Sequence, residues 1–417
     1  MRLFPDTAST DAKRVIVAKG LRAIGDGYVS IVLPAYLLSL GYSGLEVGAL
    51  MTATLLGSAI MTLLAGLITA RFGDRRPLLA ASGLMIFTGL GFAGLQAFWP
   101  MLLVAFIGTL NPSSGDVSVF LPLEQSLLAR SVDEKDRTLL FAFYSVAGSL
   151  MGAFGTLIAS FTDFAPQWIG ISMLDTMRLL FLAYALIGVV AALIYRGISE
   201  HGTLSGEKPH AVLGPSRHIV YRLTALFAVD AFGGGFFVQT ILALWLFQRF
   251  HLPVSVASTI FFWTSLLTAA SFFVAVRVAR RFGLVNTMVF THLPANICLL
   301  VIPFVSNLAV VIGLLLVRSA LSQMDVPTRT SYVMAVVTPP ERPAAASVTS
   351  VPRSLASAVS PIIAGYLLSL SSFGWPLLIG GALKIGYDLT LLMMFRRIRP
   401  PEEISVRVPS RDSQRTV

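Results

Sequence analysis

Ionisable side chains are rare inside the long apolar stretches of this 417-residue chain, and their types could bind a proton, an ion or a charged solute. A charge at the centre of a lipid bilayer costs about 2.5–3.5 kcal/mol on insertion scales, so such side chains face the protein interior, form pairs or bind something. The candidates for a solute or ion pathway are Asp26, Asn111, Asp116, Asp230 and Arg318. The candidates for ion pairs or a gate are Arg22, Glu124, Asp325, Arg329 and Arg353.

Asp26 lies between Gly25 and Gly27, and small residues allow another helix or a solute to approach closely. Arg22 precedes Asp26 by four residues and therefore lies on the same helix face. We expect Asp26 to be functional, and Arg22 to be either its local partner or an interfacial anchor. Asp230 begins the corresponding stretch of the second half and precedes three glycines, 233–235, so it is either a functional charge beside a hinge or a structural hydrogen-bond acceptor.

A polar patch interrupts the fourth apolar stretch at residues 111–120 (NPSSGDVSVF). Pro112 frees a backbone carbonyl, and a break of this kind is tolerated where it faces protein or a cavity. Asp116 in this patch is either a pathway residue or part of a polar helix contact. No acidic residue stands within four positions of Arg318 or Arg353 in the sequence. A buried cation favours an anion, for which the candidates at Arg318 are Asp116 and the solute.

Glu124 and Arg329 occupy equivalent positions in the two halves of the chain and carry opposite charges. Each follows a proline by two residues, Pro122 in one half and Pro327 in the other. The pattern predicts a pair that forms across a central cavity in one conformation and separates in another. The alternative is that each residue pairs within its own half, since Asp325 precedes Arg329 by four residues. Lys384 and Asp388, also four apart, are expected to neutralise each other.

Composition excludes several classes of protein. The chain is 55% hydrophobic and 12% charged, with a mean hydropathy of +0.78, whereas soluble proteins carry about 25% charged residues. The net charge of +10 is spread over short connections rather than over one element, which argues against a nucleic-acid partner. There is one cysteine, and there is no phosphate-binding loop, HExxH motif or catalytic triad pattern, so we expect no enzyme activity, cofactor or metal.

An all-α membrane protein of twelve transmembrane helices is therefore predicted, since about 20 apolar residues cross a bilayer. The predicted spans are 15–40, 45–70, 77–97, 100–130, 138–161, 176–195, 219–247, 254–278, 285–305, 308–337, 344–370 and 376–395. Connections rich in Lys and Arg alternate with connections that contain one basic residue in all, Arg249. The positive-inside rule then places both termini in the cytoplasm.

The chain divides into two halves. A polar stretch, 196–217, is interpreted as a cytoplasmic linker between an N-terminal six-helix half, 1–195, and a C-terminal six-helix half, 218–395, with a disordered cytoplasmic tail at 396–417. An internal repeat supports this division, since 120–126 (FLPLEQS) aligns with 325–331 (DVPTRTS). At the same offset, 136–137 (DR) aligns with 341–342 (ER), and 149–150 (SL) with 354–355 (SL).

The sequence resembles the major facilitator superfamily over residues 13–395. The family's loop between spans two and three reads G-x-x-x-D-R-x-G-R-R, and the stretch GLITARFGDRR at 66–76 supplies Gly66, Arg71, Gly73, Arg75 and Arg76. Ala70 stands where the family has its Asp, and Asp74 is a possible substitute. The family's antiporter motif in span five is matched by Gly148 and Gly152, without its proline.

The resemblance implies transport of a small-molecule solute by rocking of the two halves in the lipid bilayer. We expect a monomeric secondary active transporter of a bacterial-type inner membrane, proton-coupled through its titratable carboxylates and with a slight preference for export. A passive facilitator, and a scaffold or receptor that does not transport, are the alternatives.

Overall fold

The computed structural model describes residues 9–111, 118–132, 134–199, 214–338 and 341–395, and that part is built from helices without strands. Most of the predicted linker, 200–213, and the tail, 396–417, lie outside it. The helices are α1 (Thr10–Ser39), α2 (Gly44–Phe72), α3 (Arg75–Gly94), α4 (Phe98–Ile107), α5 (Phe120–Arg130), α6 (Glu134–Ile158), α7 (Phe161–Trp168), α8 (Met173–Arg196), α9 (Arg217–Gly235), α10 (Gln239–Phe250), α11 (Val254–Phe282), α12 (Leu284–Val301), α13 (Leu308–Ser322), α14 (Asp325–Val336), α15 (Arg342–Leu370) and α16 (Trp375–Phe395). A short 3₁₀ turn, Ile302–Phe304, follows α12.

Each predicted span corresponds to one helix or to a pair of consecutive helices. Nine stretches of the described residues are long and apolar enough to cross a membrane, and they account for spans two, three, five to nine, eleven and twelve. The first span is α1, in which Arg22 and Asp26 lower the hydropathy. The fourth and tenth spans are interrupted, which leaves α4 and α13 as shorter apolar helices.

Interruptions occur at related places in the two halves. In the first half α4 ends at Ile107, and the helix resumes with α5 at Phe120. In the second half α13 and α14 are separated by Gln323 and Met324. The seventh span breaks after the glycine run, between α9 and α10, because three glycines weaken the helix and Val238 has non-helical backbone angles, with φ −50° and ψ 153°.

Glycines determine how closely the central helices pack. A Cβ on Gly27 of α1 would lie 2.2 Å from the carbonyl oxygen of Gly152 in α6, and a Cβ on Gly155 would lie 2.2 Å from that of Ile24. In the second half, a Cβ on Gly235 of α9 would lie 2.4 Å from the carbonyl oxygen of Ser357 in α15. Spans one and five, and spans seven and eleven, therefore approach each other in the same way.

The two halves contact each other toward the end that holds connections 40–43, 251–253 and 371–374. Gly48 of α2 faces α15 so closely that a Cβ would lie 2.4 Å from the carbonyl oxygen of Pro361. The Gln239 side-chain amide donates to the Ser30 hydroxyl at 2.9 Å, and the backbone N–H of Ser255 donates to Asp163 at 2.6 Å. These contacts hold the halves together at one end of the bundle.

Candidate functional site

A buried ion pair lies inside the N-terminal half. Arg22 of α1 contacts Glu124 of α5 at 2.5 Å, and both side chains are almost fully buried. The hydroxyls of Tyr144 and Tyr195 donate to the two Glu124 oxygens at 2.7 and 2.5 Å. The Arg22 guanidinium lies 3.8 Å from the centroid of the Phe120 ring. The pair is thus neutral and hydrogen-bonded, as a buried ion pair must be to offset its loss of hydration.

Asp26 lies one helical turn from this pair. Its carboxylate accepts a hydrogen bond of 3.4 Å from the hydroxyl of Tyr184 in α8, which also donates to the Thr109 carbonyl at 3.1 Å. The side chain is half-buried, and no cation lies within ion-pair distance of it in the part of the chain that is described. Asp26 is therefore a carboxylate held by one weak neutral hydrogen bond.

The C-terminal half contains a larger buried cluster around Asp230. One Asp230 oxygen accepts from Arg329 of α14 at 3.0 Å, and the other accepts from Lys384 of α16 at 2.5 Å. Arg329 also contacts Asp325 at 3.3 Å. The guanidinium therefore lies between two carboxylates of its own half.

His292 of α12 extends this cluster toward the last helix. Its Nδ1 lies 2.8 Å from Asp388, and Asn296 donates to the other Asp388 oxygen at 2.9 Å. Its Nε2 lies 4.0 Å from Asp230. The expectation that Lys384 and Asp388 neutralise each other is wrong, because the two side chains contact different partners. His292 was not predicted, since a lone histidine in an apolar stretch carries no spacing signal.

The clusters of the two halves are related with their charges reversed. Arg22 and Glu124 come from the first and fourth spans, and Asp230 and Arg329 come from the seventh and tenth. Neighbouring glycines show the same relation between the halves. A Cβ on Gly25 would contact Tyr184 of the sixth span, and a Cβ on Gly233 would contact Lys384 of the twelfth. The buried ion pairs therefore join corresponding spans of the two halves.

In this conformation Glu124 and Arg329 do not pair with each other. The ion-pair partner of Glu124 is Arg22, and Arg329 has Asp230 and Asp325. Each charge is neutralised by a partner within its own half. The alternative that the sequence offered, pairing within each half, is the one found here.

Arg318 lies in α13 with its guanidinium 4.7 Å from the centroid of the Phe237 ring. Its Nε atom is buried without a hydrogen-bond partner, and none of the carboxylates in the described ranges lies within ion-pair distance. The predicted partner Asp116 falls in 112–117, outside those ranges. Phe237 belongs to the break between α9 and α10, so Arg318 is positioned beside the interruption of the seventh span.

The remaining candidates are Asn111, Arg353 and the residues of the loop motif. Asn111 is buried where the fourth span is interrupted, and Arg353 is half-buried in α15. Of the loop motif, Gly66 and Arg71 belong to the part of α2 whose side chains are not described, whereas Gly73 has a φ of +74° and forms the turn before Arg75 and Arg76.

Asp74 in this loop forms an interhelix ion pair. Arg130 at the end of α5 binds one of its oxygens, and the Ser126 hydroxyl donates to the other at 3.3 Å. The loop motif therefore has an ion pair to the fourth span, supplied by Asp74 although Ala70 stands where the family has its aspartate.

Two six-helix halves with buried ion pairs at equivalent positions define a polytopic membrane transporter fold. The sequence model of the Major Facilitator Superfamily matches residues 15–317 and 223–413, and this chain belongs to that family. A yeast protein, the uncharacterized membrane protein YJR124C of Saccharomyces cerevisiae, is 25% identical over 423 residues, covering 93% of this chain and 94% of its own length.

Solved transporters share the fold at low sequence identity. The nucleoside transporter NupG has a TM-score of 0.72 and 13% identity, over 93% of this chain and 100% of that chain. The xylose transporter XylE from E. coli, in an inward open conformation, has a TM-score of 0.72 and 14% identity, over 95% and 99% of the two chains. A bacterial homologue of the human lysosomal transporter Spinster, inward-facing, has a TM-score of 0.65 and 14% identity, over 93% and 95%.

Proposed function

We propose that this chain is a secondary active transporter that moves a small polar solute by alternating access and couples the movement to protons. The observation that carries the proposal is the close contact of the halves toward one end of the bundle, through Gly48, Gly365 and Ser30. A rigid contact at one end leaves rocking about that end as the motion available to two packed six-helix bodies. The basic connections predict that the opposite end faces the cytoplasm.

Arg318 and Asp26 are the proposed solute and ion contacts. Arg318 keeps its Nε without a hydrogen-bond partner beside the broken seventh span, so it can donate to an anionic or acceptor-rich group of the solute. Asp26 is held by Tyr184 alone among the described side chains, so its charge can be altered by a proton without breaking an ion pair. One half would then supply the proton-accepting group and the other half the solute-binding cation.

The ion pairs Arg22–Glu124 and Asp230–Arg329 have a different proposed role. Both pairs are nearly fully buried and hydrogen-bonded, so they hold the first span to the fourth and the seventh to the tenth. This keeps each half rigid while the halves move relative to each other. Export is the favoured direction, because Gly148 and Gly152 match the glycines of the antiporter motif.

The test begins with purified protein and a thermal-shift screen of charged and polar metabolites, since a solute that binds the folded state raises apparent stability by mass action. Solutes that bind are then tested in proteoliposomes with and without an imposed pH gradient. The proposal predicts uptake that follows the pH gradient and is weakened in Asp26→Asn. Uptake that equilibrates without regard to pH would identify a passive facilitator, and the absence of any uptake would favour a scaffold or receptor.

A further inference from the structure

The buried cluster of the C-terminal half has an odd number of charged partners. Among the described side chains in contact there, Asp230, Asp325 and Asp388 are three carboxylates, whereas Lys384 and Arg329 are two basic side chains. With a neutral His292 and ionised carboxylates, this contacting set carries one net negative charge, and Arg318 lies outside it on the Phe237 ring. All of its members are at most 8% exposed, and an uncompensated charge is costly in such a setting. One additional proton makes the cluster neutral.

We propose that His292, held by Asp388, is a proton-binding site in the C-terminal half, and that its proton competes with Lys384 for Asp230. The site lies between the ninth, seventh and twelfth spans, apart from Asp26 in the N-terminal half. Binding of the proton is argued from the contacts of the cluster itself. Only the coupling of this proton to transport rests on the proposed function.

The hydrogen bonds determine which nitrogen binds the proton. An ionised carboxylate only accepts hydrogen bonds, so with Asp388 ionised the donor in the 2.8 Å contact is Nδ1–H of His292. The amide nitrogen of Asn296 lies 3.2 Å from the same Nδ1. The Asn296 amide donates to the other Asp388 oxygen at 2.9 Å and fixes that carboxylate. With Asp388 ionised, the neutral ring is the Nδ1–H tautomer, and Nε2 is the nitrogen that gains the proton.

The surroundings of the ring are set by several helices. The ionisable groups around it are Asp388, Tyr387 and Lys384 of α16, Asp230 of α9, and Asp325 and Arg329 of α14. The neighbouring α13 carries Arg318, which lies on the Phe237 ring, and α11 carries Arg277 and Arg281 near its end. The carboxylate that Nε2 faces is Asp230, at 4.0 Å.

Protonation of Nε2 would change the binding of Lys384. The Asp230 oxygen that faces Nε2 is the same oxygen that accepts from Lys384 at 2.5 Å. A second donor on this oxygen weakens the hold on the Lys384 ammonium, which lies 6.0 Å from the centroid of the Phe237 ring. The same ring carries the Arg318 guanidinium at 4.7 Å. The proton on His292 is thereby linked through contiguous contacts to the proposed solute-binding cation.

The experiment measures the two ring nitrogens of His292 directly. The full-length protein, labelled with ¹⁵N-histidine and reconstituted in lipid nanodiscs, is titrated by NMR from pH 9 to pH 4.5. Variants His218→Gln and His251→Gln, at exposed positions, and His292→Gln assign the resonances. We expect a protonated Nδ1 throughout and an Nε2 that becomes protonated as the pH falls. An Nε2–H tautomer, or a ring that does not titrate, would overturn the proposal.

A matched pair of substitutions tests the role of the cluster charge. In Asp388→Asn the remaining carboxylates and cations balance without an extra proton, so His292 should stay neutral to a lower pH than in the wild type. Asp175→Asn removes an exposed carboxylate at the start of α8 and should leave the titration unchanged. Equal titrations in both variants contradict the charge argument. If Asp388→Asn does not fold, the tautomer and the titration of His292 measured in the wild-type protein still test the proposal.

The outcome is separable from that of the proposed function. If His292 titrates as described while solute uptake ignores the pH gradient, the proton site stands and proton-coupled transport fails. If uptake follows the pH gradient and His292 does not titrate, coupling stands and this site is wrong, which leaves Asp26 as the proton acceptor.

Discussion

At the scale of single residues, the ionisable side chains within the bundle separate into two groups. Arg22, Glu124, Asp230 and Arg329 have short contacts to opposite charges, and these contacts are what allows them to be buried. Asp26 and Arg318 differ, because the described part of the chain offers neither of them an ion partner. We therefore expect substitutions in the first group to change the stability of the protein, and substitutions in the second group to change transport.

Removing either member of the Arg22–Glu124 pair should destabilise the protein. Glu124→Gln leaves the Arg22 charge buried without its carboxylate, and breaking a buried pair on one side costs about 3–5 kcal/mol. The double variant Arg22→Met with Glu124→Gln removes both charges and should recover part of this loss. The measurement is the thermal unfolding midpoint of detergent-purified protein, arranged as a double-mutant cycle.

The control for this cycle is Arg217→Met, which removes an exposed cation and should leave the midpoint almost unchanged. Additive losses in the cycle would show that Arg22 and Glu124 are not coupled. The charge swap Glu124→Arg with Arg329→Glu separates the two pairing schemes. It should be worse than either single variant, and recovery would instead indicate that these residues meet across the cavity in another conformation.

Asp26→Asn should reduce proton-driven transport by about tenfold or more, equivalent to about 1.4 kcal/mol or more, while membrane insertion is retained. The substitution keeps the hydrogen bond to Tyr184 and removes the titratable charge, and insertion of an uncharged side chain is easier. The assay is solute uptake in proteoliposomes at equal amounts of inserted protein. Wild-type uptake by a well-inserted variant would exclude Asp26 from the proton pathway.

At the scale of elements, the interruptions of the fourth, seventh and tenth spans place side chains that a continuous helix would direct elsewhere. The break after the glycine run brings Phe237 onto Arg318, and close glycine contacts let α2 and α15 meet. A Cβ on Gly365 would lie 2.2 Å from the carbonyl oxygen of Gly44, so α15 can approach α2 this closely only without a side chain there.

Gly365→Val should therefore disfavour the closed end seen here. Spin labels at Ser43→Cys and Ser371→Cys, in a Cys298→Ser background, report the separation of the halves at that end, and we expect the distance distribution to shift to longer values. The matched control is Gly386→Val, since a Cβ at that position meets no atom within 4 Å. An unchanged distribution in Gly365→Val would show that this contact does not hold the end closed.

At the scale of the whole molecule, the two halves form one family fold, and the orientation in the membrane is a prediction from charge. Basic connections include 71–76 and 277–281, and the alternating connections carry one basic residue, Arg249. The positive-inside rule then places the closed end outside and both termini in the cytoplasm. A bacterial inner membrane remains the predicted location, although one relative is a yeast protein.

Reporter fusions test this orientation. A fusion after residue 165, which follows an odd number of spans, should report the extracytoplasmic side, and a fusion after residue 205 should report the cytoplasm. Alkaline phosphatase and green fluorescent protein, active on opposite sides, provide reciprocal readouts of each site. The same side at both positions would contradict the span count between them.

The sequence by itself determined the twelve spans, the two halves and the ionisable residues that had to be explained. It could do so because hydropathy, loop charge and repeat offset are local properties of the chain, and a bilayer leaves helices as the spanning element for such stretches. The equivalence of Glu124 and Arg329 was also visible as an offset between the halves. These features required no knowledge of which helices are neighbours.

Only the tertiary structure decided the partners of these residues. Glu124 binds Arg22 rather than Arg329, and Lys384 binds Asp230 rather than Asp388. A pair of residues four apart on one helix can be proposed from the sequence alone. Contacts between the seventh, ninth and twelfth spans depend on how the helices pack. His292 became a candidate for the same reason: its chemistry follows from Asp388 and Asp230, which are distant in the chain and are brought to it by packing alone.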